Sequence, residues 1–518
     1  MAGRYAEAIG SGLQGVDATL VRIEVSIQNG IPSFDIVGRV GSDVREARER
    51  VRAAVRNSGL EFPGGRITAN FAPAWIHKEG TGFDLPLALA VLAASGQIPP
   101  LPAGPSVLSF GELSLTGEVR GVNGAVNRAG VAEEGGIRTV LVPWDNRSEA
   151  GMLTGLRILP VRSLRKAIGV LSGKTADSRA AREGILEPPS EPPVVPAVVR
   201  GQLKALRAVE IAAAGMHNLL LVGSPGSGKT LLASLLPYLL PELDAAESLE
   251  VTRVYSAAGL LPPRIGRMRE RPFRSPHHSA TAATLVGGGG RPRFGEVTLA
   301  HKGVLFLDEL AEFSPHVLES LRTPAEERVV RMSRNAAQLV FPAEFVLVGA
   351  TNPCPCGARL EPHGGCRCSR TSVRKYASRI EGPLIDRMDL QVEVLRVAAE
   401  SMEETVRDSG REDLVAMKER VARAAALEKE RNAAVLGEAC WNARIPGDRL
   451  EAVLGSAPGT VAEAARLAEA KKLSVRSFQK VLRVARTLAD LDGTPAVAGN
   501  HVLEALDYRL AEYDRGRD

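Results

Sequence analysis

Apolar and polar residues alternate with two different periods in the first part of the chain. Residues 19–27 alternate at every second position, which is typical of a strand with one buried face. Residues 43–57 repeat every three to four positions, and this spacing predicts a helix that ends at about Gly59. Its apolar residues share one face: Val44, Ala47, Val51 and Ala54. Similar patterns continue to about residue 170, so residues 1–170 are predicted to form an α/β domain.

The other face of this predicted helix carries five arginines. Two glutamates, Glu46 and Glu49, are interleaved with them, and this mixture favours a solvated surface. Direct contact with nucleic acid is the alternative. The arginines are Arg45, Arg48, Arg50, Arg52 and Arg56.

Three further segments follow, each with its own pattern. Residues 171–197 contain a proline-dense run that excludes a regular helix or central strand and predicts an extended linker. Residues 198–397 alternate between strand and helix patterns, as a parallel nucleotide-binding sheet requires. Residues 398–518 are helical in pattern. The helix that begins after Ser474 has one apolar stripe: Phe478, Val481, Leu482, Ala485 and Leu488.

The composition is that of a globular protein. Of 518 residues, 44% are hydrophobic and 24% are charged, and no apolar run reaches the length of a membrane-spanning helix. The first residues lack the apolar core of a signal peptide, so we expect a cytoplasmic protein without a membrane partner. A net charge of +5 permits a polyanionic partner without requiring one.

A glycine-rich segment after the apolar run Leu219–Val222 is the strongest chemical signal. The backbone N–H groups of such a loop point at phosphate oxygens, while Lys229 reaches the terminal phosphates and Thr230 offers a hydroxyl to magnesium. The predicted ATP-binding residues are Gly223, Ser224, Pro225, Gly226, Ser227, Gly228, Lys229 and Thr230.

A second apolar run, Val304–Leu307, ends on two carboxylates. Asp308 is predicted to hold magnesium, and Glu309 to orient and polarise the attacking water. A third strand pattern, residues 345–351, ends on Asn352, whose amide would help to position that water. The order of these motifs resembles the AAA+ ATPases, in which such an asparagine is called sensor one. The sequence therefore predicts magnesium-dependent ATP hydrolysis.

Two arginines are assigned by that resemblance. Arg387 resembles the arginine finger that ring-forming members deliver to a neighbouring subunit, and an internal ion pair with Asp386 or Asp389 is the alternative. Arg476 matches the position of the sensor-two arginine, which contacts the terminal phosphate. Two nearby arginines could compete for that role: Arg483 and Arg486.

Two basic segments resemble the pore loops of the helix-two-insert branch of AAA+ proteins. One is the arginine-rich stretch 264–278, which is followed by four consecutive glycines, and the other is a hairpin predicted at 328–334. Arginines in the bore of a ring would bind successive phosphates of a nucleic acid. Surface loops that pack against a neighbouring subunit are the alternative.

Four of the five cysteines lie close together, in two Cys-x-Cys pairs. Such a cluster can bind one zinc ion tetrahedrally, and His363 could replace one ligand. Reduced thiols without a metal, or a redox switch, are the alternatives. Because the cluster directly follows Asn352, we expect a structural zinc that stiffens the sensor loop or contacts DNA. The four cysteines are Cys354, Cys356, Cys366 and Cys368.

Six segments spread over nearly the whole chain point to one family. They are Phe34–Gly38, Arg45–Ala54, Lys78–Pro86, Arg274–His278, Asn352–Gly357 and Leu482–Leu491. These segments resemble the YifB/ComM family of magnesium-chelatase-like AAA+ ATPases. The resemblance implies a homo-hexameric motor that acts on single-stranded or branched DNA. It also implies a branch-migration helicase that promotes recombination of incoming DNA in natural transformation.

The N-terminal domain is also similar to the proteolytic domain of Lon, from Lys78 to Pro143. In that alignment Gly82 takes the position of the serine nucleophile, and Arg128 that of the lysine base. Glycine has no nucleophile and arginine stays protonated, so peptidase activity is not expected. A DNA-binding or ring-stabilising role is expected instead.

Two other functions share the nucleotide-binding core. One is the motor subunit of a magnesium chelatase, which the Lon-like domain and the cysteine cluster oppose, and the other is a protein-remodelling ATPase. In either case the expected fold class is α/β. It combines a Lon-protease-like N-terminal domain (1–170), a linker (171–197), an AAA+ parallel-sheet core (198–397) and an all-α C-terminal lid (398–518).

Overall fold

The computed structural model describes ten stretches of the chain, which divide into two compact units. The stretches are residues 4–101, 106–173, 201–262, 266–288, 293–334, 337–361, 365–379, 384–396, 411–456 and 459–509. The first unit holds the described residues of Met1–Ser190, Asp244–Arg269 and Ser333–Val340. The second unit holds those of Glu191–Leu243, Glu270–Met332 and Phe341–Asp518. From residue 174 onward, the predicted linker lies outside the described residues.

A seven-stranded mixed sheet forms the centre of the first unit. Its strands are β1 (Arg4–Gln14), β2 (Asp17–Gln28), β3 (Ser33–Val37), β4 (Arg66–Ala72), β5 (Val107–Ser109), β8 (Thr139–Pro143) and β9 (Arg157–Val161). Two further strands, β6 (Glu112–Leu113) and β7 (Val119–Arg120), form a separate hairpin. The strand order is β3-β4-β2-β1-β5-β8-β9. Strand β2 pairs antiparallel with β1 and β4, whereas β5, β8 and β9 run parallel. The predicted strand at 19–27 is confirmed within β2.

The helix Ser42–Asn57 confirms the predicted amphipathic pattern and corrects the expectation for its arginine face. Its buried residues are Val44, Ala47, Val51, Ala54 and Val55. Arg50 donates hydrogen bonds of 2.7 and 3.0 Å to both carboxylate oxygens of buried Asp84. The guanidinium of Arg52 lies 5.3 Å from the ring centroid of Phe62. Part of the arginine face therefore holds the domain together instead of facing solvent.

Further helices cover this sheet: Asp84–Ala94, Ala125–Glu134, Arg147–Ala150, Leu164–Leu171 and Ala245–Ala258. The last of them comes from within the segment 198–397, yet it packs in the first unit. The Gly124 N–H donates to the Ser256 carbonyl over 2.9 Å. The Ser256 hydroxyl also donates to buried Glu149.

The second unit is built on a five-stranded parallel sheet. Its strands are β10 (Leu219–Gly223), β11 (Phe273–Arg274), β14 (Val304–Leu307), β17 (Val346–Thr351) and β18 (Leu390–Val394). The hairpin of β12 (Gly287–Gly288) and β13 (Arg293–Phe294) also belongs to this unit. A second hairpin pairs β15 (Val329–Arg334) with β16 (Ala337–Pro342), and its described residues within Ser333–Val340 are grouped with the first unit. The order β11-β14-β17-β10-β18 places β10 between β17 and β18. Because all five strands point the same way, the three predicted nucleotide motifs reach one edge of the sheet.

Two sets of helices complete the second unit. Those of the core are Leu203–Gly215, Lys229–Leu239, Ala282–Val286, Glu296–Leu299, Pro315–Ser320, Arg322–Glu327 and Arg370–Ala377. Those of the C-terminal region are Arg411–Leu436, Leu450–Leu454, Thr460–Ala470, Val475–Leu491 and Gly499–Asp507. Among the described helices, none has both the length and the apolar character that crossing a membrane requires.

The helix Val475–Leu491 is capped by Ser474, whose hydroxyl accepts the Ser477 N–H over 3.2 Å. Its buried residues include most of the predicted stripe: Val481, Leu482, Ala485 and Leu488. The two arginines expected to compete with Arg476 are used inside this region. Arg486 is buried against Asp490 at 2.8 Å, and Arg483 donates to the Ile445 carbonyl over 2.9 Å.

Candidate nucleotide-binding and hydrolysis site

The predicted phosphate loop connects the end of β10 to the helix Lys229–Leu239. Gly226 and Gly228 have φ values of +76° and +92°, which residues with side chains rarely adopt. A Cβ added to Gly223 would lie 2.3 Å from the Val394 carbonyl oxygen. The glycines therefore permit a tight loop that ends at a helix N-terminus, a preferred site for phosphate oxygens.

Lys229 is buried at this loop and is held by three oxygens. Its ammonium donates to the carbonyls of Gly223 at 2.7 Å and Ser224 at 2.9 Å, and to the Asn352 Oδ1 at 3.3 Å. Burial lowers the pKa of Lys229, while Asp308 and Glu309 act in the opposite direction. The lysine is thus fixed where it could bind terminal phosphates.

The two residues predicted to hold magnesium touch each other. The Thr230 hydroxyl donates to the Asp308 Oδ2 over 2.9 Å, although 78 residues separate them. The second carboxylate oxygen of Asp308 accepts the Glu309 N–H over 2.9 Å. Hydroxyl and carboxylate oxygens are ligands that magnesium prefers, so this pair fits the ion.

Glu309 and Asn352 lie at the same edge of the sheet. Glu309 directly follows Asp308 at the end of β14, and Asn352 directly follows β17, the neighbour of both β14 and β10. The contact between Asn352 and Lys229 joins two of these strand ends. The structure therefore brings together the three nucleotide motifs that the sequence indicated separately.

His278 is a site residue that the sequence reasoning missed as such. Its Nδ1 lies 3.0 Å from the Glu309 Oε2, and its ring lies 4.1 Å from that of His277. The segment Arg274–His278 is part of a basic segment and one of the six family-like segments, but its pattern assigned no role to either histidine. Two consecutive histidines shortly after β11, a strand of the same sheet, were the signal in the sequence that could have indicated a site residue here.

Arg387 and Arg476 lie at the opposite edge of the sheet. Arg387 precedes β18, which runs parallel to β10 with Leu390 opposite Leu219 and Val394 opposite Gly223. The five residues of β18 span about 16 Å, so Arg387, which precedes them, is separated from the Gly223 end of the sheet by about this length. Lys480, one turn after Arg476, pairs with Asp389 over 3.0 Å and so holds that helix at the same edge.

Both arginines bind one carboxylate oxygen there. The Arg387 Nη2 lies 2.7 Å and the Arg476 Nη2 2.5 Å from the Oε1 of Glu326. Neither guanidinium therefore lies beside Lys229 of its own chain. Their assignment as nucleotide-contacting residues stays a prediction, and it requires a neighbouring subunit.

The four clustered cysteines converge as a metal site would require. The Cys354 sulfur lies 3.4 Å from that of Cys356 and 3.6 Å from that of Cys366, and all four sulfurs lie within 4.8 Å of one another. Four sulfurs at 2.3 Å from a tetrahedral centre would be about 3.8 Å apart. The set therefore fits zinc. The alternative ligand His363 lies outside the described residues.

The thiols of this cluster differ in acidity. A hydrogen bond from the Ala358 N–H, together with its neighbouring thiols, lowers the pKa of Cys356 to about 6. Burial raises the pKa of Cys354 to about 12. Because zinc binds thiolates, metal binding near neutral pH would displace the proton of Cys354.

The Lon-like positions face each other in the first unit, but they hold no catalytic pair. A Cβ added to Gly82 would lie 3.1 Å from the Arg128 Nη1. The Arg128 guanidinium donates to the carbonyls of Ser11 and Asn123, and burial lowers its pKa to about 10. It therefore stays a cation at neutral pH and fills the space beside Gly82.

Models of the magnesium chelatase subunit ChlI match three segments of the chain. The model of the subunit itself matches residues 197–402, and the model of its C-terminal region matches residues 411–509. A third, described as subunit ChlI of Mg-chelatase, matches residues 23–146. These segments cover both units of the structure.

Several relatives match over nearly their whole lengths. The uncharacterised protein YifB of Escherichia coli is 39% identical over 500 residues, which cover 96% of each chain. The competence protein ComM of Haemophilus influenzae is 38% identical over 503 residues, 96% of this chain and 95% of its own. Lon protease 1 of Hydrogenovibrio crunogenus is 26% identical over 159 residues, 28% of this chain and 19% of its own. Together with the observed sheets, these matches confirm the predicted α/β fold class.

Proposed function

Since the chain belongs to the YifB/ComM family of magnesium-chelatase-like AAA+ ATPases, we propose that it is a ring motor that uses ATP hydrolysis to move DNA. The proposed activity is that of a branch-migration helicase, which promotes recombination of incoming DNA in natural transformation. The name of the Haemophilus influenzae relative, a competence protein, supports this choice.

The observation that carries the proposal is the convergence of the strand ends around Lys229. Lys229 contacts Asn352, and Thr230 contacts Asp308, so the residues for phosphate, magnesium and water lie at one sheet edge. Such convergence is what phosphoryl transfer to water requires, because its catalysis rests on positioning and charge.

The proposed roles follow from those positions. Thr230 and Asp308 would hold magnesium, which when bound neutralises phosphate charge and orients the terminal phosphate. Lys229 would bind the terminal phosphates as a cation. Glu309 would accept a proton from the attacking water, and Asn352 would hold that water in line with the phosphate.

The position of Arg387 and Arg476 at the opposite edge of the sheet supports an assembly of several copies, and a homo-hexamer is proposed. Arg387 and Arg476 are held about one strand length from Lys229, so they reach a nucleotide only across a subunit boundary. The second basic segment, 328–334, which includes β15, would then line the bore and contact DNA phosphates. The cysteine cluster is proposed to hold one structural zinc.

Substitution of the phosphate-loop lysine and the water-activating glutamate tests the proposal. Lys229→Ala is expected to weaken ATP binding by about 100-fold or more, and Glu309→Gln to keep ATP binding but lower turnover by at least about 100-fold. Glu312→Gln serves as a control, because this exposed carboxylate only approaches Arg379 at 3.6 Å. ATP-dependent displacement on a synthetic four-way junction measures the DNA activity. Wild-type turnover in both variants would refute the site assignment.

A chelatase motor subunit is the second candidate. All three matching family models carry the chelatase description, including the one over residues 23–146, so the N-terminal domain does not by itself separate the two functions. The full-length match to a competence protein favours DNA. Stimulation of ATP hydrolysis by forked DNA would support the DNA motor, whereas stimulation only by a porphyrin-binding partner would support the chelatase.

A further inference from the structure

The segment Asn352–Gly357 touches the phosphate loop at both of its ends. At one end the Asn352 Oδ1 accepts the Lys229 ammonium over 3.3 Å. At the other end Gly357 packs on Pro225, so closely that an added Cβ would lie 2.4 Å from the proline Cδ. The phosphate loop is thus held at its lysine and at its proline by one six-residue segment.

Two of the four clustered thiols lie between these contacts. Cys354 and Cys356 belong to the segment, and a turn closes it, because the Gly357 N–H donates to the Cys354 carbonyl over 2.9 Å. The Cys366 sulfur lies 3.6 and 3.7 Å from their sulfurs. One metal ion bound by all four sulfurs would tie the segment to residues 366–368 and fix the position of Gly357.

We propose that metal occupancy of the cysteine cluster sets the affinity of the phosphate loop for nucleotide, through the contact between Gly357 and Pro225. This inference rests on the proposed nucleotide binding and adds a control element to the same site. The metal holds the segment in the conformation that supports the loop. Loss of the metal releases the segment and lets Pro225 and Lys229 move from their binding positions.

Thermodynamic linkage gives this proposal a second consequence. If the metal tightens nucleotide binding by some factor, nucleotide must tighten metal binding by the same factor. Couplings of this kind are commonly about 5-fold to 150-fold, and we expect about 10-fold here.

The variant Gly357→Ala separates the contact from the metal. It keeps all four thiols, but its Cβ would push against Pro225, and its φ of +78° adds backbone strain. Gly437→Ala is a matched control, because Gly437 has a similar φ of +84° and an added Cβ there meets no atom within 4 Å. Comparing the two variants isolates the effect of the contact from that of the strain.

The experiment measures the binding of a fluorescent ATP analogue to the full-length protein in four states: zinc-loaded, stripped by chelator under reducing conditions, Gly357→Ala and Gly437→Ala. Magnesium is restored after the chelator is removed. We expect affinity about 10-fold weaker for the stripped protein and for zinc-replete Gly357→Ala, and unchanged affinity for Gly437→Ala. Competition with a chromogenic chelator should show zinc held about 10-fold more tightly when the analogue is present, but not in Lys229→Ala.

Equal nucleotide affinity in zinc-loaded wild type and zinc-replete Gly357→Ala would overturn the inference, and so would an equal loss in Gly437→Ala. If circular dichroism shows that the stripped protein is unfolded, the nucleotide affinity of zinc-replete Gly357→Ala decides whether the inference holds. A zinc-loaded wild type that binds no nucleotide would instead refute the proposed function itself.

Discussion

Glu309, the residue proposed to accept a proton from the attacking water, has a strained backbone conformation. Its φ of +52° lies in the left-handed region, which costs about 1–2 kcal/mol for a residue with a side chain. The N–H contact with Asp308 and the carboxylate contact with His278 hold it there. This conformation directs the Glu309 carboxylate to His278, on the loop that follows β11.

We predict that His278 orients the Glu309 carboxylate for turnover. His278→Ala should lower kcat for ATP by about tenfold and leave KM unchanged, because the lost contact acts on the water-activating group and not on nucleotide binding. Steady-state ATPase assays measure both constants. His277→Ala is the control, since the His277 Nδ1 lies 2.8 Å from the Ser279 hydroxyl and the His277 ring packs on that of His278. An unchanged or raised kcat in His278→Ala would contradict the prediction.

The sequence predicted those residues that form short contiguous motifs. The phosphate loop, Asp308 with Glu309, Asn352 and the four cysteines each have a spacing that carries their chemistry. Glu326 could not be predicted, because its partner Arg476 is 150 residues away in sequence and the contact depends on tertiary packing. The buried state of Arg486 was missed for a similar reason: besides Asp490 on its own helix, its acceptors include the carbonyls of Leu454 and Pro495, and the Leu454 contact depends on tertiary packing.

At the scale of elements, periodicity identified four strands of the two sheets, the helix at 43–57 and the helix after Ser474, but not which elements pack together. The helix Ala245–Ala258 illustrates this limit. Its capping box at Asp244 and Glu247 is a local signal, whereas its packing in the first unit depends on Gly124 and Glu149, far away in sequence.

A half-buried ion pair between Lys302 and Glu344 connects two loops of the second unit and should make stability depend on pH. Burial alone would raise the pKa of Glu344, but Lys302 at 2.7 Å, together with Arg444 and Arg328, lowers it to about 2. A carboxyl group with a lowered folded-state pKa stabilises the fold above its unfolded pKa of about 4.3. This contribution, at most about 3 kcal/mol, is lost as the pH falls from there towards 2.

We therefore predict that Glu344→Gln is less stable than wild type at pH 7 and that the difference shrinks as the pH falls below about 4.3. Urea unfolding followed by circular dichroism at several pH values measures this. Glu327→Gln provides a comparison, because the pair that Glu327 forms with Arg331 is exposed and such pairs contribute little. A difference that stays constant with pH would refute the role of Glu344.

At the scale of the whole molecule, the sheet separates the proposed catalytic groups into two sets. Lys229, Asp308 and Asn352 lie at the carboxyl edge, and Arg387 lies with Arg476 beyond the amino edge. Sequence motifs name both sets, but only the parallel register of β10 and β18 reveals that they are on opposite sides. A complete site would then need two subunits.

Mixing experiments should detect such shared sites. Arg387→Ala and Lys229→Ala are each expected to be inactive alone. A mixture should regain part of the ATPase activity, because some boundaries then pair an intact phosphate loop with an intact arginine. ATPase rates across mixing ratios measure this recovery. A mixture of Arg387→Ala with Arg476→Ala is the control: if both arginines serve the same boundary, it should regain less activity. Failure to regain activity at every ratio would count against the shared site.

The packing of Arg128 beside Gly82 also bears on any attempt to build a serine–lysine pair in this domain. A serine at position 82 would place its Cβ about 3.1 Å from the guanidinium, so the arginine would have to shift slightly. A lysine at position 128 would leave the Ser11 and Asn123 carbonyls with fewer donors. Neither substitution alone supplies both a nucleophile and a base, so installing the pair requires both changes together.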